Sequence, residues 1–74
     1  MTSYSQYGED LHIVKAVDGV ASRRLLDLGA WHPTQFSNSR ALIEVGWSAV
    51  LVEPSPGPLA TLARGYCDWP GVEV

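Results

Sequence analysis

Sulfur, basic charge and long apolar runs are all scarce in this chain, and each shortage removes a class of function. A single cysteine, Cys67, permits no internal disulfide, no Cys-x-x-Cys redox pair and no zinc knuckle, and the expectation is a small residue at least half buried. His12 falls among apolar residues with no second ligand at metal spacing; it reads as a surface or boundary residue, and no metal is expected. Five basic residues against eight acidic ones leave a net charge of -3. The basic residues are scattered at Lys15, Arg23, Arg24, Arg40 and Arg64, which argues against a phosphate-tracking surface and a nucleic-acid partner. No apolar run approaches the roughly 20 residues of a membrane span, and the opening "MTSYSQYGED" is polar and acidic rather than a signal peptide. A cytoplasmic protein with no membrane partner is the expectation. Phosphate-binding glycine patterns are missing too, both Gly-x-x-x-x-Gly-Lys and Gly-x-Gly-x-x-Gly.

What remains is 74 residues, 46% apolar and 18% charged, the composition of one small globular domain. A chain this short buries only about 60% of the surface its unfolded form exposes. Residues 9 to 17, "EDLHIVKAV", carry Leu11, Ile13, Val14 and Val17 at helical spacing, with Glu9 and Asp10 at the positive end of the helix dipole. "RLLDL", 24 to 28, is too short for a helix before Gly29 and reads as a strand. Ser37 or Asn38 offers an N-cap for a short helix over 39 to 45, with Ala41, Leu42 and Val45 on one side and Gly46 placed as a left-handed cap. "SAVLV", 48 to 52, is a continuous run of the kind buried on both faces of a parallel sheet. Ser55 caps a third helix that opens with Pro56 and sets Leu59, Leu62, Ala63 and Tyr66 on one face. A turn at Trp69, Pro70 and Gly71 leads into "VEV", the opening of a third strand.

Alternation of helix and strand predicts parallel strands joined by crossovers, a doubly wound α/β sheet, with ligands beyond the carboxyl ends of the strands. Two loops lie at those ends. Gly29 follows the first strand, where a missing Cβ allows a tight turn and a close approach. Glu53 follows the second, where a carboxylate accepts hydrogen bonds from both hydroxyls of a nucleoside ribose. Without phosphate-binding glycines, that nucleoside is one that brings no phosphates. S-adenosylmethionine has this chemistry, and Asp27 and Glu53 add negative potential toward its sulfonium and ammonium.

"YSQYGEDL" at 4 to 11, "LLDLGAWHP" at 25 to 33, "FSNSRALIEVGW" at 36 to 47 and "AVLVEPSP" at 49 to 56 together resemble the opening half of FkbM-type S-adenosylmethionine-dependent methyltransferases. The resemblance runs from Tyr4 to Val74. It implies a Rossmann-like fold, with 1 to 74 as the N-terminal half of a cofactor-binding domain truncated at its third strand. It places Asp27, Gly29 and Ala30 in the turn that receives the methionine and ribose, Glu53 at the ribose, and Pro54 beside the adenine. Ser37 and Asn38 cap the following helix or bind the methionine carboxylate there. Gln6, Gly8, Glu9 and Asp10 match a block on the cofactor or substrate side, although Glu9 and Asp10 are equally ordinary first-turn acids. Pro33 stiffens the loop, Trp31 packs over the site, and His32 is a loop residue bonding backbone or solvent, with a general base as its other reading.

The implied reaction is methyl transfer to a hydroxyl of a sugar or another small molecule, with the catalytic base unassigned. The competing expectation is an inactive remnant, or an association module that pairs through the edge and uncovered face of an unfinished sheet. A nicotinamide-binding module is disfavoured by the absent glycine pattern.

Overall fold

β-Branched and apolar residues between the turn at Gly46 and the loop at Pro54 make Ser48–Val52 the central strand, β2, of a three-stranded parallel sheet among the described residues. It is flanked by β1 (Arg24–Leu28) and β3 (Val72–Glu73) in the order β1-β2-β3. The structure is a computed structural model that describes residues 2–74. Among the described residues three helices complete it, α1 (Glu9–Ala16), α2 (Arg40–Glu44) and α3 (Pro56–Gly65), alternating with the strands along the chain. Leu25 pairs with Ala49, and Leu28 with Val52, so the carboxyl ends of β1 and β2 finish level. Among the described residues strand order runs consecutively and does not reverse. None of the helices among them is long and apolar enough to cross a membrane.

Register divides the sheet into two unlike faces, because successive strand side chains point to opposite sides. Ala49 and Leu51 of β2, with Leu25 and Val72 beside them, pack against Ile43 of α2 and Leu62 of α3, and Tyr66 closes this core. The opposite face carries Leu26, Leu28, Val50 and Val52, all exposed, with Leu28 at 72%. The expectation that β2 is buried on both faces is therefore corrected. The core gathers on one face only, so β2 alternates buried and exposed despite its unbroken apolar sequence.

Local corrections have similar causes. Val45, Leu59 and Ala63 are exposed, so the buried stripe of α2 is Ala41, Leu42 and Ile43, and that of α3 narrows to Leu62, with Tyr66 just beyond the helix. Cys67, expected to be at least half buried, is exposed, because it lies in the turn beyond α3, past Tyr66, which belongs to the core. Gly46 does take the left-handed conformation expected of it, at φ 100°, and returns the Trp47 N–H to the Leu42 carbonyl.

The N-terminal segment is fastened by one carboxylate. Asp10, fully buried in the first turn of α1, accepts from the Ser3 hydroxyl and the Tyr4 N–H at 2.6 Å each, the Leu11 N–H at 2.9 Å and the Ser5 N–H at 3.3 Å. The Ser5 hydroxyl accepts from the Asp10 N–H in return. Burial pushes the Asp10 carboxyl upward, but the bonds from Ser3, Tyr4, Ser5 and Leu11 outweigh it and hold the group below its ordinary value. Of its two sequence roles, the first-turn acid is the one with visible work. The residues it fixes then dock on the segment before α2: the Ser37 N–H donates to the Tyr4 carbonyl and the Ser5 hydroxyl to the Ser37 carbonyl.

Candidate functional site

The carboxyl ends of β1 and β2 are tied together by backbone and by Glu53. Gly29, at φ 80°, makes the turn that Leu28 leads into, and a Cβ there would point into open space. Its requirement for glycine is therefore conformational, and the side it leaves bare is free for a ligand. The N–H groups of Gly29 and Ala30 both donate to the Val52 carbonyl, at 2.7 and 3.1 Å. The Trp31 N–H donates to Glu53 Oε1 at 2.9 Å, and the Ser55 N–H to Oε2 at 3.0 Å. Three successive N–H groups of the glycine turn are thus engaged inside the protein and do not face outward as an anion cradle.

Glu53 is 8% exposed. Its carboxyl is held below the ordinary value first by the Ser55 N–H, against the opposing effect of burial, and then by the Trp31 N–H. Each carboxylate oxygen accepts one of these bonds, which leaves a lone pair on each. The residue clamps the two loops and retains acceptor capacity.

The loop that follows Gly29 is strained and then wedged in place. The His32 N–H donates to the Ala30 carbonyl at 2.8 Å across Trp31, whose φ is 64°. That is the rare, strained form of a three-residue turn, and a bulky residue in it costs about 1–3 kcal/mol. Trp31 stays half exposed, so it stands open to solvent instead of closing over the strand ends. His32 Nδ1 accepts from the N–H groups of Thr34 and Gln35, at 3.1 and 2.9 Å. Both partners are donors, so Nε2 carries the ring proton and Nδ1 has no free lone pair for a substrate. Of its two readings, this geometry favours the loop-bonding one. Pro33 is buried against α3, where its carbonyl accepts from the Tyr66 hydroxyl at 3.0 Å. Gly65 admits the proline ring, since a Cβ there would sit 2.3 Å from Pro33 Cγ.

The remaining candidates are distributed. Asp27 and Asn38 line a hollow of about 180 Å³ beside Ile13 of α1, away from Glu53. Asn38 Oδ1 shares the single Ser5 hydroxyl proton with the Ser37 carbonyl, and Pro54 is exposed. The N-cap position of α2 belongs to Ser39, two residues beyond Ser37 and one beyond Asn38, the two expected caps, but the Ser39 side chain makes no capping bond. Buried Ser37 supplies it from outside, its Oγ accepting from the Ser39 and Arg40 N–H groups at 3.3 and 3.1 Å. Asp27, Gly29, Ala30, Ser37, Asn38, Glu53 and Pro54 thus share one end of the sheet without converging on one cavity. Gly29, Ala30 and Glu53 form the connected part.

Two features escaped the sequence reading. Arg40 pairs with Glu44 at 3.1 Å while its guanidinium lies near three rings, 4.6 Å from Trp69, 5.3 Å from Tyr66 and 5.8 Å from Tyr4. The Tyr4 hydroxyl donates to the Glu44 carboxylate, which completes a polar cluster joining the N-terminal segment, α2 and the end of α3. Only the Arg-x-x-x-Glu spacing of this cluster is visible in sequence. The second feature is a cleft of about 580 Å³ between the loop after β1 and α3, with Trp31 and Arg64 in its walls.

Comparison with family models, with curated proteins and with solved structures gives no match.

Proposed function

We propose that this chain is the cofactor-binding, N-terminal part of a Rossmann-like, doubly wound S-adenosylmethionine-dependent methyltransferase domain of the FkbM type, acting in the cytoplasm on a hydroxyl of a sugar or another small molecule. The observation that carries the reading is the junction of Gly29 and Glu53: a left-handed glycine turn open on its outer side, next to a strand-end carboxylate with a lone pair on each oxygen. Ribose hydroxyls donate to those lone pairs, and the absence of a side chain on Gly29 admits the sugar and methionine. The cofactor supplies a methyl group activated on a sulfonium. Asp27 and Glu53 contribute negative potential at that end of the sheet. His32, with Nδ1 engaged, is not assigned the proton of the acceptor hydroxyl.

The test is calorimetric titration of the full chain with S-adenosylhomocysteine, alongside Glu53→Gln. Saturable binding that the variant weakens about tenfold or more supports the reading. No binding by a chain whose amide spectrum remains dispersed overturns it.

A second reading, an association module, is favoured by the bare face of Leu26, Leu28, Val50 and Val52 and by β1 and β3, each paired on one side only among the described residues. It requires a dimer or larger species in light scattering, and a monodisperse monomer rules it out.

A further inference from the structure

We propose that the cleft between the loop after β1 and α3 binds a small anionic ligand that carries a flat apolar ring, an aromatic carboxylate being the simplest case. The cleft is open, and its volume of about 580 Å³ is that of a small-molecule site. None of Asp27, Gly29 and Glu53 lines it, so the inference does not depend on the methyltransferase reading.

Its chemistry is one-sided. Trp31 offers a half-exposed indole, and a residue of this size is kept in a left-handed conformation by the bond from its N–H to Glu53 and by the turn closed over it. Such strain persists where surrounding structure over-determines it, and here the result is an aromatic surface displayed at a cavity wall. Arg64, in the last turn of α3, is exposed and has no ion-pair partner among the described residues. His32 presents Nε2–H as a donor because Nδ1 is engaged. Gly57, at the second position of α3 between two prolines, has an N–H with no intrahelical acceptor. Gln35 adds an amide, whereas the Thr61 hydroxyl is directed to the Gly57 carbonyl.

No carboxylate lines the cleft among the described residues, and Glu53 behind Trp31 turns both oxygens to backbone N–H groups. A wall that stacks a ring, a guanidinium and several donors, with no acid, is complementary to an acceptor-bearing anion. A cationic ring meets Arg64 unfavourably, and a neutral one leaves it unpaired.

The experiment is an amide and indole N–H NMR titration of the full chain with indole-3-carboxylate and its neutral analogue indole-3-carboxamide. Saturable shifts are expected at the Trp31 indole, Gln35 and Gly57, with the carboxamide about tenfold weaker or more. Arg64→Gln should abolish that preference, and Trp31→Asn, which tolerates the left-handed backbone, should weaken both ligands. Lys15→Gln, a charge change on α1, should alter neither. Equal binding of the two ligands, an equal effect of Lys15→Gln and Arg64→Gln, shifts centred elsewhere or no shifts at all each overturn the proposal. S-adenosylhomocysteine is read separately through Gly29 and Glu53, so a failure here leaves the cofactor reading standing.

Discussion

Glu53 Oε1 accepts the Trp31 N–H at 2.9 Å, so the carboxylate at the end of β2 holds the strained residue of the loop after β1. One side chain therefore sets the spacing of the two strand-end loops and keeps Trp31 turned toward the cleft. A change at Glu53 and the conformation of Trp31 are mechanically linked through this bond. Glu53→Gln replaces one acceptor oxygen by a donor NH₂ facing a backbone N–H, so at least one of the two clamp bonds is lost. The expected outcome is a shifted and broadened Trp31 indole resonance, with the signals of Leu51 and Leu62 unchanged. An unaltered Trp31 signal would remove the link.

Stability should fall in acid for an identifiable reason. Asp10 and Glu53 are both held below their ordinary values in the folded chain. A depressed carboxyl contributes stability that is complete above its unfolded value, about 4 for Asp and Glu. That contribution is lost as pH falls through the lower folded value, because the unfolded chain then binds more protons. Urea midpoints should thus be level from neutrality to about pH 5 and decline below it. Asp10→Asn should flatten part of the decline and lower stability at neutral pH by about 1–3 kcal/mol, since it leaves buried donors facing an amide. A midpoint unchanged down to pH 3 would contradict the assignment.

Gly65→Ala sets helix propensity against packing. Alanine in α3 gains up to about 1 kcal/mol over glycine. Its Cβ, however, would lie 2.3 Å from Pro33 Cγ, and Pro33 is buried and tied by its carbonyl to the Tyr66 hydroxyl. Overpacking of this kind costs about 1–3 kcal/mol, so a net loss of stability is expected. Perturbed amides at Thr34 and Gln35 should accompany it, because the displaced loop carries His32. A thermal melt showing a gain would mean that the loop lifts away freely.

Much of this fold was legible because its punctuation is local. The bounds of β1 and β2 were readable to the residue, since Gly29, Gly46 and a short β-branched run leave no room for helices. The left-handed Gly46 was readable for the same reason. Which face of β2 is covered was not, because SAVLV has the same apolar character on both sides and burial depends on where α2 and α3 land. The junction of Gly29 and Glu53 was legible as two strand-end residues, but its internal bonding was not, since it depends on backbone N–H groups of Ala30, Trp31 and Ser55 that sequence does not distinguish. The fastening by Asp10 and the rings around Arg40 were hidden for other reasons. The Asp10 bonds are local, to Ser3, Tyr4, Ser5 and Leu11, but depend on the segment before α1 folding back on the first turn, which residue type does not reveal, whereas the Arg40 cluster joins segments far apart in sequence, as Tyr4 and Glu44 do.

Arg40 should resist conservative replacement. Its guanidinium combines a bond to Glu44 with contact to the rings of Trp69, Tyr66 and Tyr4, and the side chain is 15% exposed. Lysine retains the charge but loses the flat surface and the directed N–H of Nε. Arg40→Lys is expected to destabilise by about 0.5–2 kcal/mol, with little dependence on salt because ring contact contributes alongside the ion pair. Equal stability of the two proteins in urea would reduce the cluster to a surface ion pair.

Val50 and Leu51, adjacent in β2, offer the sharpest test of the one-sided sheet. Leu51 is 2% exposed and packs among Ala30, Ala49 and Leu62, whereas Val50 is 41% exposed on the bare face. Leu51→Ala removes methyl groups from the core and leaves a cavity, at about 2–5 kcal/mol. For a 74-residue chain that is a large part of a total of about 4–11 kcal/mol, so marked unfolding is expected. Val50→Thr keeps the β-branch and puts a hydroxyl where water already reaches, which should change stability by no more than about 0.5 kcal/mol. If Val50→Thr instead destabilises as a core substitution does, and does so more at high protein concentration, the bare face is covered in solution by another copy of the chain. Concentration dependence is the deciding reading, since mass action links stability to chain concentration only when the covering surface belongs to a separate molecule.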